Sequence, residues 1–356
     1  MTTRNDITGD ELRSKTPTDK YRDNYDKIFG NKDQKVKQQD FDLMILDIKM
    51  PKMDGIEVLQ KAREKEILVP FILLTGHGNV AIAVEAMKLG AYDFILNDLN
   101  EAIADLPEVS PSAATIGASK AAANFLKAKL ILNGERYTGS TPNYQEVINA
   151  VNAVEASGFA LQSGYFDIFL PSVDSETVLF GNISIGNRIW NGMHYNIVTP
   201  DNGGGGWNGF STLAEFYDLF EGDANENYIG SGQEERRGWV PDASNANNTD
   251  NYGVGYGFLI GQQYSASGQP LSDRAGNPLS FSRDFSLTNS NETQAIRVIK
   301  YHPFDGTSSA SFRSHEIIFR YADAHLMRAE AMLRGGGGSA TAEVNELRAL
   351  RGASPL

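Results

Sequence analysis

The stretch from Glu316 to Leu350, EIIFRYADAHLMRAEAMLRGGGGSATAEVNELRAL, limits the possible folds of this chain more than any other. Ile318, Tyr321, Ala322, His325, Leu326, Ala329, Met332 and Leu333 recur at steps of three and four, which predicts one buried helical face. Gly335 to Gly338 stop that helix, because glycine takes the left-handed conformation of a helix end at little cost. A second helix with Ala340, Val344 and Leu347 inward completes a helical hairpin.

Ser112 to Leu132 follows the same grammar, with Ala118, Ala121, Ala122, Phe125, Leu126, Lys129 and Leu130 at helical spacing. Asn133-Gly134 ends it. Tyr144 to Ser157 then gives a partner helix through Val147, Ile148, Val151 and Val154, closed by Gly158. Small alanines allow close approach, so the two hairpins are expected to stack in the manner of tetratricopeptide repeats. The expected fold class is mainly α, helical hairpins carrying long irregular loops, preceded by a partial α/β piece.

Charge and composition divide the chain. Residues 1–100 carry 15 basic and 17 acidic residues, whereas 101–356 carry 17 and 28, and all three tryptophans lie in the later part. The net charge of −13 argues against a protein that tracks nucleic-acid phosphates. The absence of cysteine rules out disulfides, thiolate metal sites and cysteine nucleophiles in this sequence. Expected boundaries are a polar leader over 1–39 with a loose helix at 18–29, an α/β segment over 40–99, and a larger unit over 100–356.

Within 40–97, Phe41–Leu46 ends in Asp47 and Pro70–Leu74 ends in Thr75, while 55–64 and 79–89 have helical period and 92–96 reads as a third strand. Alternation of this kind predicts a parallel sheet with polar residues at the carboxyl ends of its strands. DLMILDIKMPKMDGIEVLQKARE and LLTGHGNVAIAVEAMKLGAYDFI resemble the middle and end of a response-regulator receiver domain. That resemblance implies a phospho-acceptor at Asp47 and a switch hydroxyl at Thr75. The family's lysine, however, is replaced by Asn97, with Asp98 in the proline position after it. No apolar strand with an acidic metal-binding pair precedes Asp47. Phosphoryl transfer needs cation and metal to offset charge developing on the phosphoryl oxygens, so no phosphotransfer is expected at Asp47.

The loop-dominated region 181–315 holds one expected helix, 212–220, capped by Ser211, and 165–169 and 177–180 read as short extended pieces. AAANFLKAKLILNGERY, YQEVINAVNAVEASGFAL, NGFSTLAEFYDLFEGD, ERRGWV, IIFRYADAHLMRAEAMLRGG and VNELRALRG, in this order, resemble the SusD/RagB family of outer-membrane nutrient-binding proteins of the Bacteroidetes. The resemblance covers about residues 105–356 and implies a helical-repeat scaffold whose loops bind oligosaccharide or a similar nutrient. It also implies a SusC-like TonB-dependent transporter as partner and an outer-membrane location. The chain as written carries no signal peptide or lipidation cysteine, which on its own reads as cytoplasmic, and both ends of the repeat stack are expected to be uncapped.

Sugar sites pair flat aromatic faces with polar side chains. Trp207 is the first candidate, since its glycine flanks leave the ring uncovered, followed by Trp190, Trp239, Tyr195, Tyr252 and Tyr256. Most of these rings are expected to pin loops to the scaffold. Asp242, Asn245, Asn247 and Asp250 lack the glycine and terminal glutamate of a calcium loop. His77, His194, His302, His315 and His325 show no metal spacing, and His325 is expected between helices. Neither a cofactor, a metal nor a catalytic residue is called for. The expected function is non-enzymatic nutrient binding; the alternatives are a signalling module acting through Asp47, or a composite chain without function as a unit.

Overall fold

The computed structural model describes residues 3–4, 11–12, 44–47, 55–65, 71–74, 92–111, 117–169, 175–181, 192–198, 205–241, 253–265, 267–302 and 316–356. These fall into two compact units, Met1–Ile95 and Leu96–Leu356. In the first, β1 (Met44–Asp47) and β2 (Phe71–Leu74) pair in parallel with Met44 opposite Phe71 and Asp47 opposite Leu74. Between them runs α1 (Gly55–Glu64), whose Ile56, Val58, Leu59 and Ala62 are buried. Asp47 therefore sits at the carboxyl end of a parallel strand, as its apolar run predicts. Among the described residues this pair has no third strand, and Thr3–Arg4 with Glu11–Leu12 form only a separate two-residue antiparallel pairing. Thr75, His77, the expected 79–89 helix and the expected 18–29 helix lie outside the described residues.

The expected third strand at 92–96 is instead the start of α2 (Tyr92–Asp105). Leu96, Leu99 and Ile103 continue a helical period beyond the apolar run, and Leu96 packs against the core of the second unit.

That core is built where the hairpins meet. α3 (Lys120–Leu132) begins at Ser119, whose Oγ accepts the Ala122 N–H at 3.2 Å, and α4 (Tyr144–Ala156) ends at Ser157. A single helical turn, Gly134–Thr138, fills part of the link between them. Phe125, Ala128, Val147, Val151 and Val154 are fully buried together with Tyr321, Ala324 and Met327 from α5 (Tyr321–Ala331). Both hairpins thus share one core. Alanines at 121, 128, 150 and 324 remove the side chains that would hold the helices apart.

The first five residues of the EIIFRYADAH stretch are not helical. They form β7 (Glu316–Arg320), antiparallel to β3 (Thr177–Gly181), and Ile318 is consequently 55% exposed. The β-branched and aromatic residues IIF suit a strand once a partner is present, and the Tyr321 N–H continues the ladder to Glu176 O at 2.7 Å before the helix starts. Leu326 and Leu333, expected inward, are exposed. α5 runs on as a wider turn to Gly335, whose φ of 128° only glycine takes readily, and α6 (Ala340–Leu350) follows. Ala340, Val344 and Leu347 are half-buried rather than buried. Between α5 and α6, His325 Nε2 donates to Glu343 O at 2.7 Å, the interhelical contact expected of it. Arg328 joins Glu343 at 2.8 Å and also Glu155 of α4.

The region between the hairpins is mostly loop. Its centre is a three-stranded antiparallel sheet in the order β6 (Arg297–Ile299), β5 (Tyr256–Leu259), β4 (Gly238–Trp239). Met193, Val240, Val254, Leu259, Phe281 and Ile299 form its apolar core. Two expectations fail here. Thr212 bridges Ile296, so the helix is only Ala214–Tyr217 and Ser211 does not cap it. Asp167–Phe169 is a 3-10 turn, held by Asp167 N–H on Gly164 O at 3.0 Å, rather than an extended piece.

Loops and hairpins are tied by buried charge. Glu176 and Arg351 are almost fully buried and paired; Arg320 adds a contact to Glu176 at 2.9 Å, and the Glu235 N–H donates to Arg351 O at 2.9 Å. A buried ion pair is costly to break because the survivor is left uncompensated. Replacing Glu176 by Gln, which removes the nearest counter-charge of buried Arg351, is expected to lower unfolding stability by about 3 kcal/mol in chemical denaturation; a change within about 0.5 kcal/mol, the range of an ordinary surface substitution, would show the pair to be dispensable.

His194 gives a pH-dependent counterpart. It is fully buried, its Nδ1 accepts the Asn196 N–H at 3.1 Å, and its Nε2 lies 3.8 Å from Glu292 without a hydrogen bond. Burial lowers its pKa, against the opposing pull of Glu292 and Asp273 and with the help of Arg297 and Arg274. The neutral ring's stability is present above about pH 6.5 and is lost as pH falls through the lower folded value. His194→Asn is expected to flatten the acid side of the stability–pH curve below pH of about 6.5. Parallel curves for the two proteins would contradict this.

Candidate functional site

Two of the six aromatic candidates come together. Trp239 on β4 and Tyr256 on β5 are cross-strand partners with ring centroids 5.6 Å apart and planes at 48°. Gly238, at φ 70°, permits this approach: a Cβ there would lie 2.1 Å from Tyr256 O. Tyr256 is braced by His302, stacked at 4.2 Å, whose Nε2 donates to Val254 O at 2.9 Å. Phe166 lies 5.4 Å from Tyr256 at a tilt of 48° and is itself edge-on to Tyr165.

These rings wall an open pocket of about 620 Å³. Asp167, Gln233, Glu234 and Glu235 supply its polar groups, and Gly164, Gly230, Gly232 and Ile229 its rim. The polar groups are not equivalent. Glu234 has both carboxylate oxygens taken by Arg236, at 2.6 and 2.9 Å. Gln233 donates to Tyr228 O and Gly238 O and accepts from Ser231, so it braces the loop. Glu235 accepts the Tyr165 N–H through Oε1 at 2.7 Å, while its buried Oε2 has no hydrogen bond. Asp167 is exposed, and its carboxylate has no partner among the described residues. The Asp167 carboxylate therefore remains open to a ligand beside three aromatic rings, whereas Glu235 Oε2 is buried 3.7 Å from Arg351. This suits a hydroxylated molecule with an apolar face.

Trp207, the first candidate, stands elsewhere. Its ring is 51% exposed and makes no hydrogen bond or ring contact among the described residues. Its backbone is nonetheless fixed: Gly206 N–H donates to His194 O at 2.9 Å and Asn208 N–H to Met193 O at 2.7 Å. Asn208 Oδ1 accepts from Nε and Nη2 of buried Arg297, at 3.0 and 2.8 Å. Arg297 gives its remaining N–H groups to the carbonyls of Gln294, Ala295 and Glu292. Burial pulls its pKa down to about 10, so it remains cationic at neutral pH. An exposed ring on a clamped backbone is a platform set before any ligand arrives.

Tyr195 lies beneath Arg274, 4.1 Å from its ring, and Arg274 pairs with Glu292 at 2.6 Å. That ring is covered on one face. Trp190 and Tyr252 lie outside the described residues, as do Asp242, Asn245, Asn247, Asp250 and His315. Phe166, Asp167 and Glu235 were not among the residues singled out. The run Tyr165–Phe169 carried the aromatic signal but read as a strand, and Glu235 lay unmarked within ERRGWV.

Among the described residues one set of possible metal ligands comes together, His325, Glu343 and Glu346. Arg328 lies 2.8 Å from Glu343 Oε2 and 3.3 Å from His325 Nδ1, so a guanidinium already supplies the positive charge these groups face. The cluster is a polar lock between helices. No described helix is long and apolar enough to cross a membrane.

Comparison with known proteins agrees with both parts of this architecture. Residues 32–103 match the response regulator receiver domain family. The transcriptional regulatory protein FixJ of Bradyrhizobium diazoefficiens is 47% identical over 55 residues, 15% of this chain and 27% of FixJ. The C4-dicarboxylate transport transcriptional regulatory protein DctD of Pseudomonas aeruginosa is 49% identical over 53 residues, 15% of this chain and 12% of DctD. Among solved structures, a SusD-like protein from Bacteroides fragilis aligns with a TM-score of 0.50 and 23% identity, over 80% of this chain and 56% of that one. The chain thus spans little more than half of that structure and about a quarter or less of these regulators. Residues 32–103 are thus similar to receiver domains, and most of the chain has the fold of the SusD-like proteins, mainly helical hairpins with irregular loops.

Proposed function

We propose that the unit reaching from about residue 100 to 356 binds an oligosaccharide without transforming it, in the pocket walled by Phe166, Trp239 and Tyr256. The observation that carries this reading is the set of three braced rings beside the exposed Asp167 carboxylate. Aromatic faces cover the C–H face of a pyranose, and the carboxylate takes its hydroxyls. Catalysis is the weaker reading of the same pocket. Glycoside hydrolysis needs two available carboxylates on either side of the bond; Glu234 is committed to Arg236, and Glu235 is held by the Tyr165 N–H with its other oxygen buried beside Arg351, which leaves Asp167 alone. Trp207 is a second contact for a long or branched glycan, and Tyr195 supports its neighbouring segment. Trp190 and Tyr252 remain sequence candidates for ligand contact.

By the resemblance of its fold, the unit would serve nutrient uptake at an outer membrane, passing its ligand to a TonB-dependent transporter of the SusC type. A second reading is favoured by the receiver-domain match and by Asp47 at the end of β1: a phosphorylatable module. The chemistry speaks against it, since Asn97 replaces the lysine that would steady the acyl phosphate. A chain joining two pieces that do not act together is the third.

Trp239→Ala is expected to weaken oligosaccharide binding about tenfold or more in calorimetric titration, the loss of about 1.4 kcal/mol of ring contact. Unchanged affinity would remove the pocket from the binding surface. Beryllofluoride with magnesium is expected to leave the amide spectrum of residues 40–97 unaltered; a shift centred on Asp47 would instead support the signalling reading.

A further inference from the structure

We propose that the pocket prefers a saccharide carrying a protonated amine, a 2-amino-2-deoxy sugar unit, over neutral and acidic sugars. This rests on the carbohydrate reading above and names the ligand class within it. The pocket's described lining includes three carboxylate side chains, Asp167, Glu234 and Glu235, and no lysine, arginine or histidine. The nearby guanidinium groups are already engaged. Arg236 chelates Glu234, and Arg351 is held by Glu176 and by Gln162 O. Arg351 Nη1 also pairs with the buried Glu235 Oε2 at 3.7 Å, so Glu235 is neutralised from behind the pocket wall. What remains open is the exposed Asp167 carboxylate, without a partner among the described residues, beside the rings of Phe166, Trp239 and Tyr256.

An ammonium group satisfies both features together. It donates N–H groups to the Asp167 carboxylate, and its charge is attracted by the negative faces of the rings. A neutral sugar hydroxyl makes the hydrogen bonds without the charge. A uronate would bring a like charge to a lining that holds no cation to receive it. The preference is bounded by exposure: a charge-assisted contact in a half-open site is screened by water and salt.

The test uses the full chain, titrated with matched oligomers of glucosamine, N-acetylglucosamine, glucose and galacturonate, and with a tri-lysine peptide, at a pH where the amines are charged. The glucosamine oligomer is expected to bind about three- to tenfold more tightly than its N-acetylated and glucose counterparts, with galacturonate weakest. Rising salt should shrink that ratio, and the isosteric Asp167→Asn should bring it towards one; the Asp167 side chain is exposed and has no partner among the described residues, so the substitution leaves their contacts intact. Neutral or N-acetylated oligomers binding as tightly as the amine would overturn this inference while leaving the carbohydrate reading standing. Tri-lysine binding as tightly as the amino sugar would assign the site to a peptide amine instead. Binding of no oligosaccharide at all would overturn the carbohydrate reading itself.

Discussion

The second unit depends on charges placed where water cannot reach them. Glu176, at the start of β3, faces Arg351 at the end of α6 and Arg320 at the end of β7. Its Oε1 also accepts the Gln162 N–H at 2.9 Å. Segments far apart in sequence are thereby fixed to one another. Such a cluster contributes less net stability than its count of contacts implies, because desolvation offsets the attraction. Its effect is on geometry: any arrangement that separates these groups leaves a buried charge unpaired.

The pocket inherits that geometry. Arg351 O accepts the Glu235 N–H, and Glu235 Oε1 accepts the Tyr165 N–H. The turn bearing Phe166 and the turn leading into Trp239 are thus anchored to the end of the last helix. The helices can serve as anchor because they share one close-packed core, in which Phe125 stacks on Phe319 of β7 at 4.4 Å. A rigid frame matters for a sugar site, since rings already in position cost no ordering when the ligand binds. The Trp207 platform uses a different device for the same end, a buried arginine satisfied wholly by neutral oxygens.

Local patterns in the sequence were a good guide where one period governs a whole element. The valines of α4 and the alanines of α3 announce their burial because every third or fourth residue must face the same core. The parallel pair and Asp47 at its end were legible for a similar reason, an apolar run that stops at a carboxylate. EIIFR was misread because five residues fit either period, and the decision came from pairing with Thr177–Gly181. Leu326 and Leu333 fit the helical stripe but fall on the side of α5 that faces away from α3 and α4. At the site, Trp239 and Tyr256 could be named by type, whereas their meeting depends on a β-pairing that no local pattern encodes. Phe166 and Asp167 escaped notice because a 3-10 turn leaves no periodic trace.

The central claim is that both hairpins form one cooperative frame from which the pocket is held. Hydrogen exchange on the full chain measures this directly. The account predicts that the amides of α3, α4 and α5 exchange slowest and at a common rate set by global unfolding, with the turns at 165–169 and 235–239 close behind. Exchange of α5 far faster than α4, or of both turns as freely as exposed loops, would contradict it.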